Sequence, residues 1–89
     1  MNEPAYWAKE VADALQISDS TLRKWCIALE NKGYQFARGT NNSRAFVERD
    51  IIVLRRMKEL IQNRGVTVEH AASTVISSVE ADTRTTGVR

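Results

Sequence analysis

Two adjacent cations, Arg23 and Lys24, sit in the stretch ISDSTLRKW of an 89-residue chain, with Ser20 and Thr21 just ahead and Trp25 just behind. A guanidinium presents a planar fork of donors that matches phosphate oxygens or a guanine edge, and an ammonium supplies a mobile point charge. Short hydroxyls also bond to phosphate oxygens or touch thymine methyls. Groups of the same kind recur at Arg38, Asn41, Asn42 and Arg44, and again at Arg55, Arg56 and Lys58. Between residues 20 and 64 ten cations stand against four anions, although the whole chain carries a net charge of only +2. A basic block between acidic ends is the footprint of a polyanion-binding surface, nucleic acid above all; a solvated face would give the same count.

Raw material for catalysis is scarce. Cys26 is the one cysteine and His70 the one histidine, so an intramolecular disulfide is excluded and neither a zinc site nor a thiol–histidine pair is expected. There is no glycine-rich phosphate loop, and His70 reads as a surface residue. The expectation is a protein that is not an enzyme and uses no metal or cofactor. The longest apolar run, Ile51 to Leu54, is far too short for a membrane span, and MNEPAYWAKE is no secretory signal. A cytoplasmic, nucleoid-associated setting is expected.

Helical periodicity supplies the elements that must hold these groups. Ala8, Val11, Ala12 and Leu15 mark one apolar face of a first helix over residues 6 to 15. Ser18 is placed as the N-cap of a second helix, about residues 19 to 32, with Asp19 in its first turn and Gly33 as its stop. Leu22, Trp25, Cys26 and Leu29 face inward there, which leaves Ser20, Thr21, Arg23 and Lys24 on the outward side. Two short helices joined by about three residues form a helix-turn-helix. YQFARGTNNSRAFV then alternates aromatic and polar residues around a Gly/Asn-rich tip, as a short β-hairpin wing over about 34 to 47 does. Tyr34 and Phe36 read as its root, and Asn41 and Asn42 also suit a turn.

From Glu48 a third helix carries Ile51, Leu54, Met57, Lys58 and Ile61 on one stripe and closes at Gly65. Thr67 caps a fourth, whose stripe runs from Val68 to Val79 and ends near Glu80. The fold class expected is mostly α with a small β-hairpin wing, a winged helix-turn-helix of about four helices. It forms one domain over residues 1–82, followed by a flexible polar tail over 83–89.

The fragments EVADALQIS and STLRKW, followed at the right distance by SRAFVERDIIVLRRMKELIQNRGVTVE, resemble the DNA-binding domain of the MerR family of winged helix-turn-helix proteins. Gln16 stands where that family has a turn glycine, so the turn must avoid a positive φ or carry strain. Lys24-Trp25 replaces an aromatic pair and is similar to the chromosome-anchoring RacA and to plasmid-partition and phage relatives. The resemblance implies double-stranded DNA as partner, with Ser20, Thr21, Arg23 and Lys24 in the major groove. It places Arg38, Asn41, Asn42 and Arg44 on the backbone or minor groove, and Arg55 on a phosphate. It implies a transcriptional regulator, or else a segregation, anchoring or excisionase-like factor, and no membrane. A protein-interaction module docking through the fourth helix is a further reading. It also implies a homodimer formed through a C-terminal helix or coiled coil that is missing or truncated here.

Overall fold

The computed structural model describes the backbone of residues 5–88 and the side chains of 5–39 and 41–79. Its elements are β1 (Tyr6–Trp7), α1 (Ala8–Leu15), α2 (Asp19–Asn31), β2 (Ala37–Arg38), β3 (Arg44–Phe46), α3 (Glu48–Lys58) and α4 (Val68–Val88). The mostly helical winged helix-turn-helix expected from periodicity is the architecture found. Four differences matter.

First, residues 6 and 7 do not open a helix. Tyr6 pairs with Phe46 and Trp7 with Ala45, so the wing becomes an antiparallel three-stranded sheet in the order β1-β3-β2. Two aromatic residues are strong strand formers, and a partner strand far along the chain satisfies their backbone groups. The Trp7 N–H donates to the Glu10 carboxylate (2.8 Å), which closes the start of α1.

Second, the turn after α1 takes the positive φ that a glycine would occupy. Gln16 lies at φ 60, ψ 46. Its N–H bonds to the Asp13 carbonyl (3.1 Å) and that of Ile17 to the Ala12 carbonyl (3.0 Å). This is the Schellman pattern, which satisfies the last carbonyls of a helix. A side chain in this region costs about 1 kcal/mol.

Third, Lys58 points inward. Its ammonium donates to the Leu15 carbonyl at 2.7 Å, capping the C-terminus of α1 from α3. That accounts for a lysine on an otherwise apolar stripe, and it removes Lys58 from the candidates for phosphate contact.

Fourth, α3 passes through a π-helical turn, Glu59–Asn63, before Gly65 (φ +68) ends it. After that, α4 continues through Val88, past the expected end near Glu80. Its start is as expected, with the Thr67 hydroxyl accepting from the His70 N–H (3.2 Å). The tail boundary at residue 82 falls where side chains lie outside the described residues.

The core joins all four helices. Leu22, Trp25, Cys26 and Leu29 of α2 meet Val11, Ala12 and Leu15 of α1 on one side. α4 packs against both α2 and α3 through Ala71, Ala72 and Val75. The two alanines are fully buried, which lets the helices approach closely. Each buried Leu, Val or Phe contributes roughly 1.5–3 kcal/mol of transfer free energy. Tyr34 and Phe36 meet edge to face at 4.9 Å, and Phe36 meets Phe46 at 5.4 Å, so these rings form the root of the wing as expected.

One buried polar residue holds the wing and α3 together. Asp50 is 2% exposed. One carboxylate oxygen accepts from the Tyr34 hydroxyl and the other from the Val47 N–H at the start of α3 (3.0 Å). Burial first, and then the Asp50 hydrogen bond and charge, push the Tyr34 phenol up to about 12.

Candidate nucleic-acid interface

The outward side of α2 is built at its N-terminus. The Ser18 hydroxyl accepts from the Thr21 N–H (3.0 Å), as an N-cap does, and lies 2.9 Å from the Thr21 hydroxyl and 3.2 Å from that of Ser20. The Thr21 hydroxyl accepts from Ser18, so its own proton is left for an outside acceptor. Ser20, Arg23 and Lys24 are exposed and Thr21 is half-buried. Among the described residues neither Arg23 nor Lys24 is paired with a carboxylate. Meanwhile Trp25 is 3% exposed and anchors the opposite face. Residues one position apart thus divide between core and solvent, because consecutive helical side chains point about 100° apart.

The wing lies across a groove from this helix. Asp19, Arg23, Arg38, Asn41, Asn42 and Arg44 line that groove, and Cys26 and Phe46 reach its floor. The structure therefore brings Arg23 together with the wing candidates Arg38, Asn41, Asn42 and Arg44, whereas Ser20, Thr21 and Lys24 lie outside this groove. Asn41 (φ 59) and Asn42 (φ 62) both occupy the left-handed region at the wing tip, the conformation for which their turn-forming reading was framed. Trp7 lies over this tip, its ring 3.1 Å from where a β-carbon on Gly39 would sit. Even alanine at residue 39 would press on that ring.

Arg38 and Arg44 are not free cations. They face one another in register across β2 and β3, and both turn to Glu30 of α2. Arg44 holds it bidentately, Nε to Oε2 at 3.0 Å and Nη2 to Oε1 at 2.8 Å, with its side chain 19% exposed. Arg38 reaches Oε2 at 3.1 Å and also the Asn42 carbonyl at 3.0 Å, remaining 41% exposed. Paired in this way, Arg44 clamps the wing to α2, and Arg38 keeps one side exposed. Glu30 escaped the sequence reading because an acid in a basic block looks like one charge subtracted. Its signal was its position on α2 opposite two wing arginines, which only the hairpin register reveals.

This clamp has a pH dependence. The hydrogen bond from Arg44, helped by the charges of Arg44 and Arg38, holds the Glu30 carboxyl below its ordinary 4.5 despite partial burial. A carboxyl with a lowered folded value contributes stability that is complete above its unfolded value and is lost as pH falls through the folded one. Denaturant titrations over a pH series should therefore show wing-linked stability falling below 4.5. Glu30→Gln should flatten that limb. An unchanged acid limb in the variant would show that the pair carries no stability.

Arg55 stands apart from the groove. It is exposed on α3 beside Arg56, Arg64 and Ile52, around a second depression. Cys26 is fully buried, and burial pushes its thiol up to about 12, so it is protonated at neutral pH and poor as nucleophile or ligand. Among the described residues no group of three or more His, Cys, Asp or Glu side chains could hold a metal ion, and no helix is long and apolar enough to cross a membrane.

The family model for MerR helix-turn-helix regulatory proteins matches residues 6–75, from β1 into α4. The chain belongs to the MerR family. MerR helix-turn-helix domains bind double-stranded DNA, act in transcription regulation and are not enzymes as a family. The MerR match covers the helix-turn-helix, the wing, α3 and the first part of α4, which are the elements that carry every candidate residue above. No individual curated protein matches the sequence.

Proposed function

We propose that this chain is a transcriptional regulator that places α2 in the major groove and lays the β2–β3 wing on the adjacent backbone or minor groove. One observation carries this reading: Arg23 and Lys24 stand exposed and, among the described residues, paired with no carboxylate on the outward side of a capped helix, and Arg23 faces the wing across a groove. In this reading Arg23 and Lys24 supply the main contacts, and Ser20 and Thr21 set the register on phosphates. Arg38, Asn41 and Asn42 meet the backbone from the wing, and Arg55 reaches a flanking phosphate. Arg44 positions the wing. Two copies joined through their C-terminal helices would occupy an inverted repeat, in the cytoplasm on the nucleoid. The same interface would serve segregation or recombination, and the genomic position of the selected sequence separates these processes.

Binding to a selected duplex, followed by fluorescence anisotropy, tests the reading. With about four to six phosphates neutralised per copy, log affinity falls against log salt with a slope of roughly −0.9 per phosphate. Between 50 and 200 mM salt one copy should lose on the order of 10²–10³ in affinity. A chain that retards no duplex at the lower salt overturns the proposal.

A further inference from the structure

Among the described residues three large apolar side chains stay exposed: Trp7, Ile27 and Ile52. Trp7 is explained by its packing over Gly39, and Ile52 lies at the second depression on α3. Ile27 is different. At 43% exposed it lines the groove between α2 and the wing, together with Arg23, Arg38 and Asn42. It follows Lys24 by three residues and Arg23 by four, so it shares their helical face. A solvated helix face has no use for isoleucine, and the core on the opposite side is already filled by Cys26, Ala28 and Leu29.

We propose that Ile27 is a specificity-determining residue that recognises the 5-methyl group of a thymine in the major groove. This rests on the reading that α2 enters that groove. Along the floor of a major groove the bases present donors, acceptors and one apolar group, the thymine methyl. An exposed aliphatic side chain amid cations that bind phosphates and guanine edges matches that one feature. Isoleucine is also stiff at χ1 in a helix, so its methyl surface is held in place and little rotamer freedom is lost on contact. The neighbouring Arg23 and Lys24 set the depth of the helix, and Ile27 then reads a base they do not.

The test uses the full chain and the duplex it selects from a random pool. Each thymine is replaced singly by uracil, which removes only the methyl, and affinity is measured for the wild type, Ile27→Val and Ile27→Ala. Burial of one methyl predicts that uracil weakens wild-type binding about fourfold at one position in each half-site. Ile27→Ala should bind thymine and uracil equally there, and Ile27→Val should keep part of the preference. Because the side chain is exposed, circular dichroism should show all three chains folded alike. Wild-type binding that ignores uracil at every position, or an Ile27→Ala chain that keeps the full preference, overturns this inference and leaves the DNA-binding reading intact. Failure to bind any duplex overturns both.

Discussion

Asp50→Ala is expected to lower the stability of the folded chain by about 2–5 kcal/mol, because it deprives two half-buried donors of their acceptor at once. The Tyr34 hydroxyl and the Val47 N–H both end on that carboxylate, and the residue is all but sealed from solvent. A chain of this size has a total stability on the order of 4–13 kcal/mol, so a loss of this magnitude brings part of the population to unfolding. Urea denaturation of the variant measures it. Two companions show that the lost acceptor, rather than a cavity, is responsible. Asp50→Asn keeps one acceptor oxygen and should lose less. Adding Tyr34→Phe to Asp50→Ala removes a stranded hydroxyl and should restore part of the loss, a non-additivity that contacting residues show. If Asp50→Ala costs no more than a surface substitution, the wing and α3 are not joined through this carboxylate.

Arg23→Ala should weaken specific DNA binding by roughly 1–3 kcal/mol and relax the preference at one base pair, leaving the unfolding midpoint unchanged. The separation of the two readouts is the informative part. Arg23 is exposed and, among the described residues, bonded to no carboxylate, so its removal disturbs nothing inside the protein. Arg44→Ala should behave oppositely. It leaves Glu30 to Arg38 alone and loosens the wing, so the midpoint falls along with the affinity. Titration of both variants against the selected duplex, alongside denaturation, distinguishes a contacting cation from a positioning one. Wild-type affinity for Arg23→Ala would take the proposed contact away.

The legible parts of this protein were those encoded within a few residues of each other. Ser18 as a cap, Gly33 as a stop and the inward set Leu22, Trp25, Cys26 and Leu29 follow from helical spacing, and they stand as read. So does the exposure of Arg23 and Lys24, since each neighbours a residue that has to be buried. What could not be read were the pairings across distance. Tyr6–Trp7 looked like the start of a helix because its partner strand lies at the other end of the domain half. Nothing local marks Asp50 as the acceptor for Tyr34, and a lysine on the apolar stripe of α3 has no explanation until the Leu15 carbonyl comes to lie beside Lys58.

Amino-acid order by itself determined where α2 begins and ends, where α3 and α4 begin, which side of each helix is apolar, and that the outward side of α2 is cationic. These are consequences of a 3.6-residue period and of capping, both local in range. Tertiary structure alone decided which cations remain available. Glu30 is fourteen residues from Arg44 and eight from Arg38. A charge's availability depends on its nearest opposite charge in space, and chain order does not record that distance until the wing folds back onto α2.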